Sequence, residues 1–89
     1  PPQVLGRVTP ELTAEDAARC AAQQVVLSVL VGEDGRPTAV RVLSGEDSVC
    51  REAARRAAEQ FAFNPALDAE RRPVESWATI GIEFEGGNP

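Results

Sequence analysis

From Gln24 to Ser44 the chain runs in two apolar, β-branched-rich segments whose residues divide between two faces with period two, separated by one break. Val25, Leu27, Val29 and Val31 fall on one side of the first segment, and Val26, Ser28 and Leu30 on the other. After the break, Val40 and Val42 alternate with Ala39, Arg41 and Leu43. β-Branched residues at this spacing suit a pleated, half-buried strand. The break, Gly32-Glu33-Asp34-Gly35-Arg36, has a glycine near each end. Glycine supplies the positive φ that short hairpin loops need. The stretch predicts a β-hairpin, with Gln24 roughly opposite Ser44.

On either side of the hairpin the period changes to that of a helix. Thr13 precedes Ala14-Glu15-Asp16, an N-cap with acid in the first turn. Leu12 stands where it can staple onto Ala17. The spacing predicts a short helix from about Ala14 to Ala22, with Ala14, Ala17, Ala18 and Ala21 on one shallow stripe. Such a stripe buries little, so this helix depends on tertiary contacts. Downstream, Gly45-Glu46-Asp47-Ser48 is a turn whose Asp47 or Ser48 can cap a longer helix. Val49 or Cys50, Ala53, Ala54, Ala57 and Phe61 share one face of it. Phe63-Asn64-Pro65 is the predicted stop, because a residue before proline disfavours α geometry. A charged loop, Asp68 to Pro73, leads to a last strand, Val74 to Glu85. There Ala78, Ile80, Ile82 and Phe84 alternate with Trp77, Thr79, Gly81, Glu83 and Glu85.

The order helix, strand, strand, helix, strand predicts an α+β fold. A right-handed crossover through the long helix brings the last strand back parallel to the second. It then lies beside the first, giving a three-stranded antiparallel sheet of order 2-1-3 with both helices on one face. Residues 1–12 read as the end of a proline-containing linker and an irregular lead-in, 13–86 as one domain, and 87–89 as a tail.

Cys20 and Cys50 lie nearly symmetrically about the hairpin turn, on helices assigned to one face. Two readings follow: buried free thiols, or a disulfide. The symmetry favours the disulfide, which implies an oxidising compartment.

The formal charge of −5 argues against a nucleic-acid partner. No apolar run approaches the roughly 20 residues that cross a bilayer, and no signal-peptide pattern or initiator Met is present, so the chain reads as a domain of a longer protein. Histidine, lysine, tyrosine and methionine are absent, which removes the commonest general base and metal ligand. Ser28, Ser44, Ser48 and Ser76 therefore have no His or Lys to activate them. Glu15/Asp16, Glu33/Asp34 and Glu46/Asp47 fall in caps and turns, where short acidic side chains serve the backbone. Arg55-Arg56 and Arg71-Arg72 read as solvated. No catalytic site, metal or cofactor is expected.

Two surfaces stand out instead. The first is the free edge of the last strand, Val74, Glu75, Ser76, Trp77, Ala78, Thr79, Ile80, Gly81, Ile82 and Glu83, whose unpaired N–H and C=O groups suit an incoming peptide; protection by the tail or by dimerisation is the other reading. The second is the sheet face away from the helices, where Val26, Leu30, Ala39, Leu43 and Trp77 make a surface more apolar than solvation requires. Either a partner, a second copy or water covers it.

The residues also resemble the TonB C-terminal domain family. Val29-Leu30-Val31-Gly32-Glu33-Asp34-Gly35-Arg36, followed by Val40-Arg41-Val42-Leu43-Ser44-Gly45, is similar to that family's hairpin. Phe61-Ala62-Phe63-Asn64-Pro65-Ala66 resembles the A-x-x-W-x-F-x-P-A that closes its long helix, with Phe61 in place of Trp. Pro73-Val74 and Ile80-Gly81-Ile82-Glu83-Phe84 resemble its final strand. Pro37 stands where the family usually has Val, and Thr9–Ala22 lacks the usual Tyr-Pro motif. The likeness covers roughly Gln23 to Phe84.

The resemblance implies a non-enzymatic periplasmic domain, anchored in the inner membrane through another part of the parent chain. Its partner would be the TonB-box peptide of an outer-membrane receptor, added beside the last strand to transmit energy or force. An alternative within the family is a docking or assembly module of another envelope machine, such as a motility or secretion complex. So open an edge also suggests a homodimer by strand exchange. Outside the family, a small enzyme or inhibitor would need a cleft with perturbed acids near Glu46 and Asp47.

Overall fold

A computed structural model describes residues 1–84. The elements run β1 (Gln3–Gly6), α1 (Ala14–Cys20), β2 (Gln24–Val31), β3 (Pro37–Ser44), α2 (Ser48–Ala58), β4 (Ala62–Asn64), β5 (Ala66–Leu67), β6 (Pro73–Val74) and β7 (Ser76–Glu83). The main sheet has the order β3-β2-β7, with both pairs antiparallel. This is the predicted 2-1-3 arrangement of an α+β fold.

The hairpin forms because its two periods agree with its turn. Val25, Leu27, Val29 and Val31 are fully buried on the helix side. In the turn, Gly32 donates to the Arg36 carbonyl and Gly35 to that of Gly32, while Asp34 Oδ1 accepts from the Arg36 N–H. Gly35 has φ +84°, and a Cβ there would collide with the Phe63 carbonyl oxygen, so the turn needs glycine here for two reasons. The register differs from the sequence expectation: Val26, not Gln24, faces Ser44, because β3 shifts against β2 between Val26 and Leu27 and again between Leu30 and Val31. An extra residue in one strand of a pair bends it locally.

Both helices lie on the same side of the sheet. Asp47 caps α2, its carboxylate accepting from the Val49 N–H at 2.8 Å. The small residues Ala53, Ala54, Ala57 and Ala58 are buried against the sheet core, so this helix rests close to β2 and β3. It ends at Ala58, short of the expected stop. Gln60 and Phe61 tighten its last turn by donating to Ala57 and Ala58. The chain then turns extended because Phe61 and Phe63 are buried while Ala62 and Asn64 are exposed, a period of two that no helix can serve.

Helix α1 is shorter than expected as well, and its alanine stripe is not what anchors it. Thr13 caps it through the Asp16 N–H, but Ala14 and Ala18 are exposed and only Cys20 is buried. Cys20 forms a disulfide with Cys50 of α2, Cα to Cα 5.7 Å. Arg19 adds an ion pair to Asp47 at 2.6 Å. A loop closed by thirty residues of separation contributes roughly 3–4 kcal/mol through denatured-state entropy, which compensates for the shallow apolar face.

Two expectations are corrected outside the main sheet. The lead-in is not wholly irregular: β1 pairs antiparallel with β4, Gln3 facing Asn64 and Val4 facing Phe63. The last strand is not continuous from Val74, since Pro73–Val74 pairs with Ala66–Leu67 and the chain resumes as β7 only at Ser76. Proline gives β6 no N–H at Pro73, and Glu75 is the break. Glu85 and the 87–89 tail lie outside the described residues.

Candidate functional site

β7 runs antiparallel to β2 in one unbroken register, from Gln24–Glu83 to Val31–Ser76. Phe84 donates its N–H to the Gln23 carbonyl. In an antiparallel ladder, hydrogen-bonded and non-bonded positions alternate. That contact therefore sets the phase for the whole strand. Ser76, Ala78, Ile80 and Ile82 spend their backbone groups on β2, whereas Trp77, Thr79, Gly81 and Glu83 turn theirs outward. Side chains follow the same parity. Ile80 and Ile82 are buried under the helices, and Trp77, Thr79 and Glu83 are exposed on the other face.

Of the expected edge residues, Val74 and Glu75 do not belong to this strand. Val74 pairs with Ala66, and Glu75 accepts from the Thr38 hydroxyl. Along the remainder, the described residues place no strand beside the outer side of β7. One contact does reach it. Arg7 of the lead-in donates from its guanidinium to the Gly81 carbonyl at 3.2 Å while lying 5.5 Å over the Phe61 ring. Sequence reasoning missed Arg7, because nothing in the local pattern of the lead-in tells which strand it will cross.

Beyond Arg7, the lead-in and the end of β7 enclose an open groove of about 470 Å³. Val8, Leu12, Ala17, Phe61, Ile82 and Phe84 supply its apolar walls, with Arg7 and Glu83 at the rim. Leu12 and Ala17, the two residues of the expected staple, both line this groove. The groove itself was not foreseen, since its walls come from three separate stretches of chain.

The open sheet face carries Val26, Leu30, Leu43 and Trp77, but not as one patch. Leu30 pairs directly with Trp77 at one end, and Val26 meets the Leu43–Ser44 bulge at the other. Between them, Arg41, Ser28 and Thr79 form a polar row across all three strands. Arg41 also leaves that row toward its neighbour, sitting 5.7 Å over the Trp77 ring and covering part of its face. Trp77 stays 44% exposed and Leu43 57%.

The perturbed ionisable groups are elsewhere. Asp47 is held below the usual carboxylate range, chiefly by the Arg19 hydrogen bond. Glu52 is lowered by Arg55, and Asp68 by the Arg72 backbone N–H. Each belongs to a cap, a helix face or a turn. Arg55 bridges Glu52 and Glu59, and Arg72 turns back on Asp68. Among the described residues, no group of three or more His, Cys, Asp or Glu side chains is arranged to hold a metal. What the arrangement offers chemically is main-chain hydrogen bonding along β7.

The family model described as Gram-negative bacterial TonB protein C-terminal matches residues 15–85. No curated protein matches the chain. With that much of its length matched, the chain belongs to the TonB C-terminal domain family, whose members are periplasmic interaction domains of Gram-negative bacteria rather than enzymes.

Proposed function

We propose that this domain grips an extended peptide of an outer-membrane or envelope partner by adding it as a fourth strand along Ser76–Glu83. In this reading it passes force from an inner-membrane anchor borne elsewhere in the parent chain. The observation that carries the reading is the outward backbone of Trp77, Thr79, Gly81 and Glu83, in register with β2 along its full length. An added strand satisfies such groups with little demand on its own sequence. Because several hydrogen bonds along the strand share the load, the joint resists a pull along its length better than any single contact would. The lead-in belongs to the gripping unit in this reading, since its β1 pairs with β4 and its Arg7 reaches the Gly81 carbonyl. The disulfide fits the oxidising periplasm.

The test is an NMR titration of the oxidised domain with TonB-box-like peptides. Shifts concentrated on the amides of Trp77, Thr79, Gly81 and Glu83 are expected. Saturable binding that leaves these amides unmoved and shifts Leu30, Leu43 and Trp77 side chains would replace strand addition with docking on the open face. That outcome would favour an assembly module of another envelope machine. Shifts that depend on protein concentration alone would point to strand exchange between two copies.

A further inference from the structure

We infer that the groove at the end of β7 selects the added strand by two adjacent side chains: a large apolar one opposite Ile82 and a basic one opposite Glu83. The inference rests on strand addition at β7 and names the partner chemistry that this edge accepts. Residues opposite one another on neighbouring strands carry their side chains on the same face. A partner residue facing Ile82 therefore points to the helix side, and its neighbour facing Glu83 to the open side. This holds for either direction of the added strand.

On the helix side the edge opens into the groove of about 470 Å³ walled by Val8, Leu12, Ala17, Phe61 and Phe84. Apolar walls contributed by the lead-in, α1 and the segment after α2 gain from taking an alkyl or aromatic side chain out of water. They penalise a charge brought in without a partner. The groove adjoins Ile82 and Phe84 and does not extend to the Ser76–Ala78 end, so this selection acts at one place along the strand.

On the open side, Glu83 is exposed and takes part in none of the ion pairs among the described residues. Arg7, the basic residue of the groove lining, is already engaged by the Gly81 carbonyl and the Phe61 ring. The charge left without a partner at the rim is therefore negative, on a chain of net charge −5. A basic side chain complements it. As the strand extends past Thr79, its own N–H takes the Gly81 carbonyl from Arg7.

The experiment titrates the oxidised 89-residue chain with four capped peptides sharing one Thr/Ser frame. Their central pairs are Leu-Lys, Gly-Lys, Leu-Glu and Gly-Glu, and both affinity and amide shifts are read. Leu-Lys should bind about tenfold or more tighter than Gly-Glu, as expected for burying one large aliphatic side chain. The preference for Leu should vanish in Ala17→Leu, which fills the groove. The preference for Lys should reverse in Glu83→Lys, an exposed change that leaves the core untouched. Equal affinities for the four peptides, with Trp77 and Thr79 amides shifting throughout, would overturn the groove selection and leave strand addition standing. No shift at Trp77 or Thr79 with any peptide would overturn strand addition itself.

Discussion

The two outer strands of the sheet flank the same central strand and present different edges. β3 starts at Pro37, which has no N–H to offer, shifts register twice against β2, and carries Arg41 at its middle. Proline, bulges and charge are the devices by which natural sheets discourage pairing with a foreign strand. β7 has none of them over most of its length. It pairs with β2 through a constant register, contains no proline, and has no charged residue before Glu83. Among the described residues its obstruction is Arg7, a single exposed side chain on the Gly81 carbonyl. An edge blunted by backbone irregularity cannot be freed without rebuilding the strand, whereas one covered by a single exposed side chain is freed by breaking one hydrogen bond. That contrast is why we read β7, and not β3, as the docking strand.

The largest effect expected from any single change bears on what the contrast depends on. Replacing both cysteines by serine should lower unfolding free energy by roughly 3–4 kcal/mol, the denatured-state entropy of the loop, measured by urea denaturation. If both edges are set within the sheet, peptide should still shift β7 amides in whatever fraction remains folded. Loss of the β7 preference in folded protein would place its origin in the helices instead.

A pair of prolines tests the phase of the ladder. Thr79→Pro removes an outward N–H, a position where edge strands accept proline, so the unfolding midpoint should hardly move while peptide affinity falls about tenfold. Ala78→Pro removes an N–H given to β2 and orphans its acceptor, at a cost of roughly 1–3 kcal/mol. Equal stability of the two variants would show that the assignment of inward and outward groups is wrong.

The smallest effect concerns the exit of β3. Arg19 holds the Asp47 pKa below its ordinary value, so folding is favoured while Asp47 is charged. That contribution is fully present above the unfolded-state pKa and disappears as pH falls through the lower, folded value. Acidification over that window should loosen amides near Gly45–Val49 in hydrogen exchange before those of β7, and Asp47→Asn should remove the pH dependence. Parallel loss of protection in both strands would argue that β3 and β7 open as one unit.

Much of this fold is legible in the sequence. The period of two in Gln24–Ser44 and in the last strand, the caps at Thr13 and Asp47, and the crossover rule together yield the sheet order, because each depends on neighbours in sequence and on the handedness of the chain. The symmetry of Cys20 and Cys50 about the turn likewise pointed to the disulfide. Misplaced features depended on distant partners. The sequence pattern extends α2 past its observed end because Phe61 fits a helix face as well as a strand, and only pairing of β4 with β1 decides between them. The register slip at Leu43–Ser44 was invisible because alternation is preserved on both sides of a bulge.

By itself, then, the sequence determined which segments are extended or helical, which faces are apolar, and which strand lies outermost after the crossover. Local backbone preference and hydrophobic periodicity are sufficient for those. The tertiary structure alone decided that Arg7 crosses to Gly81, that Leu12, Phe61 and Phe84 enclose one groove, and that a polar row of Arg41, Ser28 and Thr79 divides the open face. Each is a meeting of residues far apart in the chain, and only register and packing set where such residues come to rest.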